Sequence, residues 1–586
     1  MMGLKIRAVL EQLAGGEKIH ECQWSPGEWI FHTDPEEMPF DTRQIPLVCL
    51  PVGKGLYDPQ RGERIMPEEL AGRFSCEGSA CLAALPPPAG GCFVDRNRLR
   101  FTAFTDRYGL QQIYYSQNQD GVVIGSSALL VALATGDRID LDSFGVFGLL
   151  GHHLGEECGL QNTRRLPAGS VIHLHQGHFQ IESYVSSPKN SALSSQNQQV
   201  LAEEGTETLR KGVSACLSAF PEIDLELSGG LDSRLLLAAI PPTRRRGLRA
   251  ITLGEPGGHD WVTAKFIADH EGMTHLQIDL SQLGMLPPGE ILPLVKSASF
   301  KAGHSANPFG RGVLDWVNSQ VDQRPRLSGQ NGEFIRGFYY PGQPDADSVN
   351  SRLVNSLAHW RMWTNQGVDL SLLTPAYRER IQGSCLARLK EIFQSYGTGW
   401  LLSTDEFYLM ERMGRWVGMD YSAACQERVV LAPFFHPAFV EWARRLPTTC
   451  RRGSQISAAM LERMDPYLAS LPLDGGIPAC DLEHPDLRLF IAGKVRFATK
   501  VVRKAWQRIT GHGKPPYGAE TLYRGLLKDQ PKVLDLLPHV QQSGILDLKA
   551  LDEVSQGQRK LDWKSLGFLL NLEWTYEYLE SCGSGL

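Results

Sequence analysis

The 586-residue chain is too long for one hydrophobic core, so at least two domains are expected. Its 42% hydrophobic and 21% charged residues are those of an ordinary water-soluble globular protein. A net charge of -6 supplies no general attraction for nucleic acid or anionic lipid. The twelve cysteines are scattered singly, with no Cys-x-x-Cys pair and no Cys/His cluster at zinc spacing, as expected of reduced thiols in a cytoplasmic protein.

The first dozen residues are too polar for the apolar core of a signal peptide, and no apolar run approaches the length of a membrane span. Short β-prone runs fill the first 185 residues, at 47–52, 99–104, 112–115 and 122–124, ending in a hairpin of 170–175 with 179–181. His152 and His153 are adjacent and so point different ways on any regular element, which argues against a shared metal. A polar, nearly uncharged stretch at 186–199 reads as a linker. Beyond it, 201–220 has a helical stripe of Leu209, Val213, Cys216 and Leu217. Strands at 223–227, 248–253 and 275–279, with a helix over about 261–271, give a βαβαβ rhythm. That rhythm predicts a parallel sheet with ligands at the C-terminal ends of its strands. From Leu353 onward the chain reads as largely helical, with amphipathic segments around 402–419 and 485–510.

The strand ending at Leu227 feeds a helix through Ser228-Gly229-Gly230-Leu231-Asp232-Ser233. Two glycines let backbone N–H groups approach an oxygen-rich ligand, the helix N-terminus adds positive charge, and two hydroxyls add donors. Asp232 would face a phosphate only across a Mg²⁺. This is the PP-loop of ATP pyrophosphatases; the P-loop of kinases requires Gly-Lys-Ser or Gly-Lys-Thr.

With a β-rich segment before it, the chain resembles the asparagine synthetase family, which includes β-lactam synthetases and lasso peptide cyclases. Asp106-Arg-Tyr-Gly through Tyr115 with Ile124-Gly-Ser-Ser127, and Arg165-Leu-Pro-Ala-Gly169, look like segments of its amidotransferase-like domain. Ile251-Thr-Leu-Gly254, Asp260, Leu327-Ser-Gly-Gln-Asn-Gly-Glu333 and the 432–447 block look like segments of its synthetase domain. The resemblance implies an α/β fold in three parts. An N-terminal amidotransferase-like (Ntn-type) β-rich α+β domain occupies 1–185, and a linker 186–200. A PP-loop (adenine nucleotide α-hydrolase-like) parallel-sheet domain with a helical C-terminal part occupies 201–586. It also implies ATP contacts from Leu227, Leu253, Ser328 and Gly329. Phosphates would be held by Ser228, Gly229, Gly230, Asp232 and Ser233, and Mg²⁺ by Asp232 and Glu333.

The chain departs from the family at two places. Glutamine-dependent members carry a cysteine directly after the initiator methionine, where this chain has Met2-Gly3-Leu4, so glutamine hydrolysis is not expected. The catalytic Glu of asparagine synthetases is Gln330, which cannot accept a proton at neutral pH. Tyr339, Tyr340, Glu411 and Glu427 are alternative candidates in motif order, each more simply read as packing or surface. The late lysine that family members use to stabilise charge corresponds to Lys514, Lys494 or Lys500, in that order of preference. The basic segment around them also reads as a solvated face or a docking surface.

The resulting expectation is an AMP-forming amide ligase using ATP and Mg²⁺ to join a small-molecule or peptide carboxylate to an amine. A precursor peptide is one candidate substrate, and neither nucleic acid nor membrane is an expected partner. Ring closure of the lasso-peptide or β-lactam type, and a nucleotide-binding scaffold without turnover, remain as alternatives.

Overall fold

A computed structural model of the chain describes residues 20–24, 27–31, 47–483 and 518–581, apart from 54, 96, 99, 119–120, 176–177, 186–196, 398, 474–475 and 531. Strands β1 (Asp224–Glu226), β2 (Arg249–Gly254), β3 (Thr274–Asp279), β4 (Arg326–Leu327) and β5 (Val430–Leu431) form one sheet in the order β3-β2-β1-β4-β5. Every adjacent pair is parallel. The first three strands lie where the apolar alternation predicts them. The last two are only two residues long and show no periodicity that a sequence reading could detect.

The helices between them follow from sequence in the same way. Helix α1 (Gln198–Ala219) starts on the Asn197 side chain, which accepts the Gln199 N–H, and buries the expected stripe of Leu209, Val213, Cys216 and Leu217. Helix α2 (Leu231–Ala239) follows β1 and helix α3 (His259–Glu271) follows β2. At the N-terminal end of the sheet, the wholly buried Asp224 carboxylate accepts two hydrogen bonds from Arg249, at 2.6 and 2.7 Å. The chain runs outward from β1 through β2 to β3, then returns to the other side of β1 at β4. In such sheets the ligand crevice lies beyond the C-terminal ends of the strands where the order reverses. Here that crevice is framed by the loops after Glu226 and Leu327.

The N-terminal half holds a five-stranded antiparallel sheet. Its order is His178–Ser183, Ser170–His175, Arg100–Thr105, Gly90–Asp95 and Leu47–Pro51. A three-stranded sheet of Arg164–Arg165, Tyr114–Asn118 and Gly121–Gly125 lies apart from it. The strand Gly90–Asp95 is not apparent from the sequence, because two glycines open it and break the alternation. Asp106 sets the turn between the sheets. Its carboxylate accepts the backbone N–H groups of Ala89, Tyr108, Leu110 and Gln111.

One continuous core runs from this half into the helical half, with Phe144 and Phe147 in the same apolar cluster as Phe393 and Phe407. Arg165 and Gln112 both donate to the Gly414 carbonyl, at 2.9 and 2.8 Å. The Ser422 hydroxyl accepts the Gln112 N–H and donates to the Leu110 carbonyl. The helical run from Trp400 to Ala424 is thereby clamped against the N-terminal strands. No helix among the described residues is long and apolar enough to cross a membrane.

A Cβ on Gly414 would sit 2.6 Å from the Tyr108 carbonyl oxygen. Gly414→Ala is therefore expected to destabilise. Overpacking costs about 1–3 kcal/mol, which exceeds the ~1 kcal/mol that Ala gains over Gly in a helix. A lowered thermal midpoint relative to wild type is the check; an unchanged or raised midpoint would show the contact to be slack.

Candidate active site

The crevice is formed by two glycine-containing loops pressed against one carboxylate. After β1, Leu227 is held by its backbone: its N–H donates to Ile251 at 2.9 Å, and its carbonyl accepts the Thr252 hydroxyl at 2.7 Å. Its side chain is buried as well, so the residue fixes the start of the turn. The next turn is stapled internally. The Ser228 N–H donates to Ser233 Oγ at 3.2 Å, the two hydroxyls lie 3.1 Å apart, and the Gly230 N–H donates to Ser228 Oγ at 3.1 Å. The Gly229 N–H donates at 2.9 Å to Asp260 in the first turn of α3. A Cβ at Gly229 would lie 2.9 Å from the His259 ring, so glycine is what allows α3 to approach. Leu253, near the end of β2, is half-buried beside the same crevice.

The second loop follows β4. The Ser328 N–H donates to Leu431 at 2.9 Å, extending the sheet by one residue. Asn331 takes a left-handed backbone (φ 76°) and donates its side-chain amide to the Phe434 carbonyl at 3.0 Å. This turn brings Gly329 and Gly332 against the start of α2; a Cβ on Gly332 would lie 2.4 Å from the Asp232 carboxyl. Gln330 is exposed at the rim. Glu333 is half-buried, and its carboxylate accepts the Tyr408 hydroxyl at 3.0 Å.

Asp232 is the focus of both loops. Its Oδ2 accepts from Arg336 at 2.5 Å, while Oδ1 is buried with no hydrogen-bond partner. Burial pushes its carboxyl up from 3.8 to about 6; Arg336 opposes the rise and the Glu333 charge adds to it.

The sequence-derived positions Ser228, Gly229, Gly230, Asp232, Ser233, Ser328, Gly329 and Glu333 thus converge on one crevice. Of the other candidates, Tyr340 donates to Asp405, Glu411 accepts the Gly155 N–H and Arg415, and Glu427 pairs with Lys301. These three serve internal contacts, whereas Tyr339 lies beside the crevice. Lys494, Lys500 and Lys514 lie outside the described residues. Sequence reasoning missed Arg336, three residues beyond Glu333, and Tyr408, seventy-five residues away. Only the general value of a cation beside a phosphate site could have drawn attention to the first.

The residues fit a nucleotide with its metal. The glycines leave room for close backbone approach, and the first turn of α2 points N–H groups outward. Among the described residues no group of three or more metal-ligating side chains occurs, but Mg²⁺ with a nucleotide characteristically uses one or two carboxylates plus phosphate oxygens. The orphaned Oδ1 of Asp232, with Glu333 beside it, matches that donor set.

The folded state holds the Asp232 proton more tightly than the unfolded chain. Its contribution to stability is therefore whole below 3.8 and is lost as the pH rises through about 6. Wild type is expected to lose about 1–3 kcal/mol relative to Asp232→Asn over that window. In Arg336→Gln, without the opposing cation, the window moves upward. Denaturant titrations at several pH values are the check; parallel curves for wild type and Asp232→Asn would refute the buried carboxyl.

Residues 204–295, from within α1 through the turn at 228–233 and β3, match the family model described as asparagine synthase. The match takes in the first loop of the crevice and stops short of the second. No curated protein matches the chain.

Proposed function

We propose, from the match of residues 204–295 to the asparagine synthase family model, that the chain is an ATP-dependent ligase adenylating a substrate carboxylate and transferring it to an amine. The family's general activity is ATP-dependent ligation. What supports the finer reading is the meeting of the 228–233 and 328–333 loops on Asp232, whose Oδ1 is buried against Gly332 without a hydrogen-bond partner.

In this reading a carboxylate oxygen of the substrate attacks the α-phosphorus of ATP. The bond to the β-phosphate oxygen breaks, and pyrophosphate leaves with the electron pair. An amine then adds to the acyl carbon, sheds one proton, and expels AMP. A bound Mg²⁺ would neutralise charge on the departing pyrophosphate. The chain's own groups bind and orient. The first turn of α2 supplies donors, and Ser228 and Ser233 can turn their hydroxyls from each other to phosphate oxygens. Arg336 can exchange Asp232 for a phosphate oxygen, leaving the carboxylate free for the metal. Glu333, oriented by the Tyr408 hydroxyl, is placed to receive the proton of the amine.

The amine arrives free or on a substrate rather than from glutamine.

Pyrophosphate exchange into ATP, driven by a panel of carboxylic acids, tests the proposal. At least one acid should stimulate exchange, and Asp232→Ala should lower it by about 100-fold or more. With that acid, ammonium or a substrate amine should yield amide where glutamine does not. No stimulation by any acid, or exchange indifferent to Asp232, would defeat the ligase reading; efficient use of glutamine would defeat only the amine source.

A further inference from the structure

Strand β3 forms one edge of the parallel sheet and carries none of the crevice residues described above, yet two of its side chains reach toward the 228–233 turn. His275 and Gln277 lie on the same face of the sheet, alternate residues of the strand. The His275 Nε2 lies 2.8 Å from the Thr252 hydroxyl on β2, and that hydroxyl donates at 2.7 Å to the Leu227 carbonyl, where the turn begins. Gln277 donates its side-chain amide to the Trp261 carbonyl at 3.0 Å, in the first turn of α3. Its neighbour Asp260 accepts the Gly229 N–H. The edge strand thus braces the segment 227–229 at both ends, through Thr252 on one side and α3 on the other.

The hydrogens of the first link can be placed. A hydroxyl carries one hydrogen, and Thr252 gives it to Leu227, so it can only accept from the ring. His275 must therefore carry its hydrogen on Nε2. Its Nδ1 is then a bare acceptor, buried and without a hydrogen-bond partner among the described residues. A proton at Nδ1 would find no acceptor there. Burial accordingly pushes the ring below its usual range; Lys265 of α3 pushes the same way and Asp269 opposes them. Lys265 and Asp269 are themselves paired, at 2.8 Å. The ring is a neutral donor, and its one hydrogen is committed to Thr252.

We propose that His275 is a positioning residue of the nucleotide loop: through Thr252 it fixes the Leu227 carbonyl, and with it the direction in which the 228–233 turn leaves β1. The inference rests on the ligase reading above only in naming what the turn holds. A brace is needed here because the backbone ladder of β1 is ending. The Leu227 N–H still donates to Ile251, but its carbonyl is held by a side chain, almost wholly buried, whose oxygen moves with its rotamer. The ring selects the rotamer that places this oxygen between Leu227 and Nε2. A turn held in place before the ligand arrives is spared the cost of being ordered by it.

Calorimetric titration of the full chain with an ATP analogue that cannot be cleaved between the α- and β-phosphates tests the brace. His275→Leu and Thr252→Val, which break the link at different points, should each weaken binding by about tenfold. The double variant should fall within about twofold of the weaker single one, because the two groups act in series. His275→Gln, whose amide N–H can reach the Thr252 hydroxyl, should recover most of the affinity; His275→Asn, one methylene shorter, should not. A ring that only fills space gives another pattern: Leu is tolerated, Gln is no better than Asn, or the two single losses multiply. Any of these would overturn the proposal.

Two further readouts need no nucleotide. With the histidine ring nitrogens isotope-labelled, the NMR signals missing from His275→Gln should be those of a neutral ring protonated at Nε2 at neutral pH. A ring protonated at Nδ1, or an imidazolium, would overturn the proposal. Amide hydrogen exchange over 227–233 should quicken by about tenfold in His275→Leu and Thr252→Val at wild-type melting temperature, and unchanged exchange would also overturn it. A chain that binds no nucleotide analogue would defeat the ligase reading, and the ring tautomer and loop exchange then decide the brace. His275-dependent nucleotide binding with no acid stimulating pyrophosphate exchange would defeat the ligase and leave the brace standing. If the Leu or Val variant fails to fold, the tautomer and the comparison of Gln with Asn decide it.

Discussion

Asp232 and Gly332 come as close as two residues from separate loops can. Because β1 and β4 are neighbours at the point where the sheet reverses its order, the loops that leave them must share one small volume. Only an absent side chain at Gly332 lets the 328–333 loop lie against the start of α2. The carboxylate caught between them loses solvent on one oxygen and gains Arg336 on the other. From this one contact follow the raised carboxyl, the approach of Glu333, and the placing of Tyr408 and the aromatic residues behind it.

The helical run from Trp400 to Ala424 transmits the constraint to the rest of the molecule. On one side it presents Tyr408 to the crevice and Arg412 to a cavity. On the other it receives Arg165, Gln112 and the Leu110 carbonyl from the N-terminal strands. Gly414 and Gly418 let those strands reach the helix, since a Cβ at either would meet Tyr108 or Gln112 at 2.6 Å. The position of Tyr408 and Arg412 thus depends on packing against the N-terminal strands, far along the chain from the 228–233 loop.

The turn at 228–233 was legible because its pattern is local. Six consecutive residues between a strand and a helix carry the pattern, and the flanking periods of two and 3.6 confirm the elements. The parallel order of β1, β2 and β3 was legible for the same reason. β4 and β5 were not, since two residues carry no period. The motif around Asp106 could be recognised in the sequence, but its reason is visible only in space, where one carboxylate gathers four backbone donors. Arg361 and Arg412 gave no signal at all. They stand fifty-one positions apart, in the π-helical turns Ala358–Met362 and Tyr408–Val417, which no propensity encodes, and they meet only across Phe338. Glu411 shows the converse: an acid in a promising stretch proves to be bound to Arg415 and the Gly155 backbone.

Leu150 and His152 come from the amidotransferase-like part of the chain, yet they line a cavity with Phe338, Tyr339, Arg361 and Arg412 of the helical half. A substitution at Leu150 or His152 would therefore reshape a space whose other walls belong to the opposite half of the molecule.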